Sequence, residues 1–216
     1  ALLMVEWSAP NNINLDHLNG LIEATLIDDA NQINHYWSIR KKAVGWAGRV
    51  KRGVRRAIPF IEDMAVRPEH LSEFCHRVAT QLTQASIEYV MYGHADAGCV
   101  HIRPILDPHQ DRAKIKKITE QMIVELKYFD GTLCGEHGHG YRSEWVRDFF
   151  GDSLYPLLQT IKKIFDPRAQ LNRGQIVSTQ PSHSIRSHNS DLKPDWVINN
   201  LPPGIANAIE CNGNAH

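Results

Sequence analysis

The chain has 216 residues, a length that suits one globular domain, or one domain with an extension, and that allows a proper hydrophobic core. Lys plus Arg and Asp plus Glu both number 24, so no global field is available to attract nucleic acid or an anionic membrane. We therefore expect no nucleic-acid partner. There is also no signal peptide and no apolar run of about 18 residues, the length of a membrane-spanning helix.

The hydrophobic pattern predicts an α+β fold, with an antiparallel sheet covered by helices in a ferredoxin-like arrangement. In chain order the predicted elements are a strand over 2–7, a helix over 35–46, a strand over 58–66, a helix over 68–85, strands over 87–92 and 99–106, and helices over 111–129 and 145–165. The basic run 49–56 is interpreted as a solvated loop.

Two of the predicted helices carry a clear apolar face. The helix over 68–85 has Pro68 in its first turn and apolar residues at spacings of three and four, namely Leu71, Phe74, Val78 and Leu82. The helix over 145–165 has a longer face made of Val146, Phe149, Phe150, Leu157, Leu158, Ile161 and Ile164. Both faces are expected to pack on the rest of the domain.

The composition changes after residue 177. Residues 178–195 are rich in Ser, His, Asn and Pro, which is typical of a linker, and residues 196–216 regain some apolar character. We therefore divide the chain into a domain over 1–177, a linker over 178–195 and the start of a following region over 196–216. Because the chain does not begin with Met, we also expect it to be an internal piece of a longer protein.

The four cysteines do not form a recognisable metal or disulfide pattern. They have no CxxC spacing and no secreted disulfide pattern, and they stand at Cys75, Cys99, Cys134 and Cys211. Reduced thiols in a cytosolic protein are the simpler interpretation.

The turn between the two predicted strands brings two histidines together. Asp96, Ala97 and Gly98 have turn chemistry, and with Ala97 and Gly98 at the central positions His94 would lie directly opposite His101. Residues opposed in this way have Cβ atoms about 4.5–5.5 Å apart, so the two imidazoles could share one metal ion. An isolated strand histidine, in contrast, is ordinarily a hydrogen-bonded surface or core residue.

A glycine-rich segment over 131–140 supplies a carboxylate. Glu136 would complete a set of two imidazoles and one carboxylate with His94 and His101, which leaves coordination positions open as catalytic sites do. His137 adjoins this set, and histidine titrates near neutrality, so it is the candidate acid or base. The segment could also be a simple turn between helices. It contains no dinucleotide fingerprint, and the chain has no phosphate-binding GxxxxGK[ST] loop and no GxSxG nucleophile motif.

Three segments of the chain resemble, in the same order, the motifs of one enzyme family. They are the GHADAGCxHxRP segment at 93–104, the GEHG segment at 135–138 and the FDPxxxLN segment at 165–172. Together they resemble flavin-dependent D-2-hydroxyacid dehydrogenases of the vanillyl-alcohol-oxidase-type superfamily, over roughly residues 1–177. The spelling of the first segment is similar to that of bacterial D-2-hydroxyglutarate dehydrogenase-like members, in which an iron–sulfur part follows the flavin part. Residues 210–214 resemble the beginning of such a part.

The resemblance implies a function for the chain. It would be the substrate domain of an enzyme that oxidises the 2-hydroxyl of a small 2-hydroxyacid, with D-2-hydroxyglutarate favoured over D-lactate, and passes a hydride to FAD. The FAD would be bound mainly by an upstream domain of the same polypeptide, and electrons would leave to a separate acceptor. An iron–sulfur cluster would belong to the full-length protein and not to this chain, which would be inactive alone. The expected location is the cytoplasm. The protein could also contact the inner membrane peripherally, through its electron acceptor.

The resemblance also implies roles for individual residues. His94, His101 and Glu136 would hold a divalent metal, with zinc favoured over iron or manganese, and His137 would be the catalytic base. Arg40 matches a family position that binds the distal carboxylate of the substrate. Asn172 matches a position that reaches the flavin, although Arg173 stands where the family usually has Pro.

A second substrate-binding arginine follows from strand alternation. Arg103 lies two residues past His101, so its planar guanidinium would face the metal site and could bind a carboxylate. A lysine that some relatives have near residues 58–61 is absent here, which leaves the distal carboxylate pocket open; Arg52, Arg55 or Arg56 could substitute. Two rival functions stay open at this stage: a metal-dependent hydrolase in which the same ligands activate water, and an assembly domain with a structural metal or none.

Overall fold

The structure is a computed structural model that describes residues 2–6, 23–107, 110–138, 145–171 and 176–177. The chain separates into two compact units, residues 1–41 and 42–216. Several predictions fall outside the described residues: the end of the first strand at Trp7, the linker over 178–195, the following region over 196–216, and the residues Asn172 and Cys211.

The described elements make an α+β fold with an antiparallel sheet, as predicted. In chain order they are α1 (Ala30–Gly48), β1 (Lys51–Arg52), β2 (Arg55–Ala57), β3 (Ile61–Ala65), a 3-10 turn (Pro68–His70), α2 (Leu71–Gln84), β4 (Tyr89–His94), β5 (Cys99–Leu106), α3 (Arg112–Tyr128) and α4 (Val146–Phe165). Among the described helices none is long and apolar enough to cross a membrane.

Two predicted elements were wrong. Residues 2–6 form no strand and their apolar side chains are exposed, because a short apolar run without a partner strand has nothing to pair with. The basic run 49–56 is not a plain loop: β1 and β2 form a hairpin, with Lys51 opposite Arg56. Ala57 of β2 then pairs with Ile105 of β5, so the basic hairpin extends the sheet.

Strand β5 is the centre of the sheet. It pairs antiparallel with β4, β3 and β2, and Ala65 of β3 forms one further bridge with Thr132. Across the sheet the order is β4, β5, β3 and then Thr132. Helix α2 connects β3 to β4, and helix α3 connects β5 to the segment of Thr132. This is a βαββαβ arrangement of the ferredoxin-like kind. This topology places the segment after α3 next to β3.

The two faces of the sheet differ in chemistry. One face packs on α2 and α3 through a core that includes Ile61, Met64, Val100, Ile102, Phe74, Val78, Leu82, Ile118, Met122 and Leu126. Since successive strand residues point to opposite faces, the residues between Val100 and Ile102 and after Ile102 point away from this core. These are His101 and Arg103, and both are buried. The second face of β5 is therefore polar and covered.

The last helix is less buried than its apolar pattern suggests. Val146 and Tyr155 are buried, but Leu157, Ile161 and Ile164 are 58%, 53% and 68% exposed. Gly151 has φ 68° and ψ −176°, which breaks the helix after its first turn and separates the two halves of the predicted stripe. The pattern identified the helix correctly and did not identify which of its apolar residues are covered.

Gly98 is the glycine on which the hairpin depends. It has φ +66°, and a Cβ built there would lie 1.9 Å from the carbonyl oxygen of Val66. We expect Gly98→Ala to destabilise the protein by more than about 2 kcal/mol, because the substitution adds a backbone clash to the left-handed strain.

Gly53 is the matched control, since it has φ +64° but a Cβ built there would have nothing within 4 Å. Gly53→Ala should cost only the backbone strain, about 1 kcal/mol. Urea denaturation of both variants measures the difference, and equal losses would contradict the clash.

Candidate metal and substrate site

The hairpin places His94 and His101 on one face, but in a different register from the predicted one. His94 pairs with Cys99, and His101 pairs with Tyr92. The loop therefore has four residues, 95–98, and the Gly98 N–H donates to the Ala95 carbonyl oxygen at 3.2 Å. The observed strand register differs from the predicted one by two residues, which keeps each side chain on the same face of the sheet. The two histidines are therefore diagonal neighbours and not directly opposed. Their ring centroids are 5.8 Å apart and their planes are perpendicular, at 90°.

Glu136 lies at the centre of three imidazoles. Its Oε1 atom is 3.0 Å from Nε2 of His101 and 3.5 Å from Nε2 of both His94 and His137. His94, Glu136 and His137 have side chains 47%, 41% and 46% exposed, whereas His101 is almost fully buried. The cluster therefore has a buried base and an open side that a small molecule can reach.

The spacing of these atoms suits a bound metal ion. Ligands about 2.0–2.1 Å from a zinc ion at tetrahedral angles lie about 3.4 Å from one another, which is close to the separations around Glu136. Ligand atoms of Asp63, His101, Glu136 and His137 all lie within 4.8 Å of one another. The donor set of imidazole nitrogens and carboxylate oxygens is one that zinc, iron and manganese accept.

Ring orientation separates the two exposed histidines. The rings of His101 and His137 are stacked, 5.0 Å apart with an interplanar angle of 16°. The ring of His94 is instead perpendicular to that of His101. Among the described residues, the group of ligand atoms that lie within 4.8 Å of one another contains His137 and Asp63 beside His101 and Glu136, and it does not contain His94. The metal role of His94 stays a prediction.

The surroundings of His101 favour its neutral form. Its burial lowers the pKa of the imidazole, and the neighbouring His137 lowers it further, against an opposing effect of the Glu62 carboxylate. A neutral imidazole has a free lone pair on one ring nitrogen, which is the form that binds a metal.

A bulge in β3 brings two carboxylates to the polar face. Ile61 pairs with Ile102 and Met64 pairs with Val100, so two residues, Glu62 and Asp63, stand where a regular strand has one. Both are buried, and Asp63 has φ +72°, which is uncommon for a residue other than glycine. The sequence pattern predicted a strand here and assigned these two acids no role in the site. Two adjacent acids in an apolar run were the signal that could have identified them.

Asp63 is surrounded by hydrogen-bond donors from the glycine-rich segment. The N–H of Glu136 donates to its Oδ1 at 3.0 Å, and the N–H of His137 donates to its Oδ2 at 2.8 Å. The thiol of Cys134 donates to Oδ2 at 3.1 Å, and that of Cys99 lies 3.6 Å from Oδ1. Burial alone would raise the pKa of the Asp63 carboxyl, but these hydrogen bonds outweigh it and lower the pKa below its usual value.

Cys99, which lies near the site, is a poor nucleophile. Cys75, Cys99 and Cys134 form no disulfide among the described residues, and Cys211 lies outside them, so the reduced state stays a prediction. Burial, together with the charges of Asp63 and Glu136, raises the pKa of Cys99 to about 12. A thiol with such a pKa stays protonated at neutral pH, so Cys99 acts as a hydrogen-bond donor.

Arg103 lies on the same face as His101, as predicted, but it already has a carboxylate partner. Its Nη2 donates to Oε1 of Glu62 at 2.7 Å, and the two side chains are 2% and 5% exposed. The guanidinium also lies over the ring of Tyr92, 5.6 Å from its centroid. Its Nε makes no hydrogen bond among the described atoms. The role of Arg103 in substrate binding stays a prediction.

The remaining predicted site residues lie elsewhere. Arg40 is on α1, in the unit formed by residues 1–41, and Asn172 is outside the described residues. Arg52 forms an exposed ion pair with Glu88, 3.4 Å apart. Their predicted roles toward substrate and flavin stay predictions.

Comparison with known proteins adds independent findings. Residues 6–176 match the family model described as FAD linked oxidases, C-terminal domain. A D-2-hydroxyglutarate dehydrogenase of Pantoea ananatis (strain AJ13355) is 37% identical over 202 residues, which is 90% of this chain and 20% of that protein. The protein of the same name from Escherichia coli (strain K12) is 33% identical over 204 residues, 92% of this chain and 20% of that protein.

A more distant relative has a different name. It is a D-lactate dehydrogenase of Archaeoglobus fulgidus (strain ATCC 49558 / DSM 4304 / JCM 9628 / NBRC 100126 / VC-16), 29% identical over 133 residues, or 60% of this chain and 29% of that protein. The chain spans about a fifth of the length of the two more similar relatives.

Proposed function

Because the chain belongs to the family of FAD-linked oxidase C-terminal domains, we propose that it is the substrate- and metal-binding domain of a flavin-dependent D-2-hydroxyacid dehydrogenase. D-2-hydroxyglutarate is the favoured substrate and D-lactate the next, since the relatives carry these two names. The observation that carries the proposal is the convergence of three imidazoles within 3.5 Å of one Glu136 oxygen, in a cluster whose side chains other than His101 are half-exposed.

The proposed metal ligands are His94, His101 and Glu136. Oε1 of Glu136 lies 3.0 Å from Nε2 of His101 and 3.5 Å from Nε2 of His94, distances that suit two ligands of one ion. A divalent metal, with zinc favoured, would supply a Lewis acid and a template for the hydroxyl and carboxylate oxygens of a 2-hydroxyacid. The burial of His101 keeps one ligand fixed, while the half-exposed His94 and Glu136 leave room for substrate.

His137 is the proposed catalytic base. Its ring stacks on that of His101, and its Nε2 is 3.5 Å from Glu136 Oε1, so it lies next to the proposed ligands. In this role Nε2 of His137 accepts the proton of the substrate 2-hydroxyl. FAD, bound mainly by a part of the protein outside this chain, supplies the acceptor for the hydride from C2.

Two arginines are proposed for the substrate carboxylates. Arg103 lies on the site face and would bind a substrate carboxylate through the guanidinium N–H groups that its Glu62 partner does not use. Arg40 would bind a distal carboxylate, which would favour a diacid over lactate. Asn172 is proposed to contact the flavin. An iron–sulfur part after residue 196 and a separate electron acceptor stay predictions.

Anaerobic reduction of the flavin tests the proposed activity. We expect the whole protein to lose its visible flavin absorbance when mixed with D-2-hydroxyglutarate, and to do so more slowly with D-lactate, because a distal carboxylate adds binding energy. Stopped-flow absorbance measures both rates, and the L-enantiomers serve as controls. A protein that contains flavin and metal but is bleached by neither D-acid would contradict the proposal. A protein without flavin would favour the hydrolase that the same metal ligands allow.

A further inference from the structure

Three successive amides of the glycine-rich segment donate to Asp63. The backbone N–H of Gly135 donates to the Asp63 carbonyl oxygen at 2.8 Å, and the next two N–H groups donate to its carboxylate at 3.0 and 2.8 Å. Two backbone amides therefore bind the carboxylate, as amides at anion-binding sites do, and here the anion is part of the protein.

The backbone of both partners is adapted to this contact. Asp63 adopts φ +72° inside the bulge of β3, a conformation that costs a residue with a Cβ about 1–3 kcal/mol. A Cβ at Gly135 would lie 3.1 Å from Sγ of Cys99 and 3.2 Å from Cβ of Ala65, so a side chain would press the segment away from β3. The strain at Asp63 and the glycine at 135 both serve close approach of the two segments.

Asp63 has little capacity left to bind a metal. Each of its oxygens accepts an amide hydrogen bond, and the thiols of Cys99 and Cys134 occupy further positions on them. A metal ion on Asp63 would have to replace these bonds. The Nε2 atoms of His101 and His137 lie 3.0 and 3.5 Å from Oε1 of Glu136, and that oxygen is the carboxylate oxygen at the centre of the cluster.

We propose that Asp63 is a positioning residue, whose buried carboxylate holds the backbone of Glu136 and His137 so that their side chains are in place before metal or substrate binds. The inference rests on the proposed function, because it assigns to Asp63 the placement of one proposed ligand and of the proposed base. The bulge links this placement rigidly to β5, since Ile61 and Met64 on either side of it pair with that strand. His101 and Glu136 are thus positioned from the same sheet.

Manganese binding to the metal-stripped whole protein tests the inference. Electron paramagnetic resonance distinguishes free from bound Mn²⁺, and the spectrum of the bound ion reports its ligands. We expect Asp63→Asn to weaken Mn²⁺ binding roughly 10–100-fold, as loss of a residue that orients a ligand does, with an unchanged spectrum at saturation. Asp111→Asn is the matched control, because Asp111 is also buried and accepts a backbone N–H, that of Asp107 at 3.0 Å. It should bind Mn²⁺ as the wild type does.

The possible results separate the inference from the proposed function. Unchanged affinity in Asp63→Asn would overturn the positioning role, and an altered spectrum at saturation would make Asp63 a ligand, which overturns it too. If His101→Ala binds Mn²⁺ as tightly as the wild type, the proposed metal site fails, whatever Asp63 does.

Hydrogen exchange provides a measurement that does not depend on a variant or on a metal. In the metal-free wild type, we expect the amides of Glu136 and His137 to exchange at least tenfold more slowly than those of an unstructured peptide. The reason is that the Asp63 carboxylate accepts a hydrogen bond from each of them. Mass spectrometry of a peptide over residues 133–138 measures this exchange. Exchange at the unstructured rate would overturn the inference, and protection that is lost selectively in Asp63→Asn would support it.

Discussion

Replacing His101 by alanine is expected to remove the metal and to slow substrate-dependent flavin reduction by roughly a thousandfold or more. His101 is the one buried imidazole of the proposed ligand set, and its Nε2 is 3.0 Å from Glu136. A Lewis acid contributes several kcal/mol to transition-state stabilisation, and each 1.4 kcal/mol or so is a factor of ten in rate. Metal content by elemental analysis and anaerobic stopped-flow absorbance of the whole protein measure the two effects.

A surface histidine provides the control for this variant. His76 is exposed on α2, so His76→Ala removes an imidazole without touching the site. We expect it to keep wild-type metal content and rate, and both variants should keep their flavin, because FAD is proposed to bind mainly elsewhere. A His101→Ala protein that is fully active, or that loses flavin together with metal, would contradict the proposed role.

Replacing Arg103 by methionine is expected to destabilise the protein by about 3–5 kcal/mol. The substitution removes the 2.7 Å partner of the Glu62 carboxylate, which is 5% exposed, and breaking a buried ion pair by removing one member is costly. The double variant Arg103→Met with Glu62→Gln should recover much of the loss, since it removes the charge as well. Urea denaturation of the single and double variants measures the coupling. A double variant no more stable than Arg103→Met would indicate that Arg103 stabilises the fold by packing on Tyr92 instead.

An exposed ion pair supplies the comparison for Arg103. Arg52 and Glu88 are 3.4 Å apart with side chains 60% and 66% exposed, so Arg52→Met should cost less than about 1 kcal/mol. The substrate role of Arg103 is measured separately, by steady-state kinetics of the Arg103→Met protein that remains folded. If the guanidinium also neutralises a substrate carboxylate, kcat/KM falls more for D-2-hydroxyglutarate than for D-lactate. Equal losses on both acids would restrict Arg103 to its structural role.

The sequence predicted the elements whose pattern is local. The helix over 68–85 was predictable because Phe74, Val78 and Leu82 recur at helical spacing, and all three are buried. The two strands of the hairpin were predictable from their apolar runs on either side of a turn. The hairpin β1–β2 was missed, because its side chains are charged and exposed, and strand pairing with β5 is a tertiary property.

The candidate site also has features that local sequence patterns predict and features that depend on tertiary contacts. The motifs around His94, His101, Glu136 and His137 are local, so the sequence indicated which residues to bring together. The register of the hairpin was predicted wrongly, because the number of residues in a turn depends on backbone contacts such as that of Gly98 with Val66. The face on which the histidines lie was correct, since a shift by two positions preserves it.

The sequence by itself determined the class of fold, the family motifs and the chemistry of the proposed ligands. Each of these depends on local patterns that can be recognised within separate short segments of the chain. Only the tertiary structure decided that Glu62 pairs with Arg103 and that Asp63 binds the amides of Glu136 and His137. These partners are 41, 73 and 74 residues apart along the chain. A contact over such a distance depends on how β3, β5 and the segment after α3 pack, and a bulge that turns two acids to one face leaves no periodic pattern in the sequence.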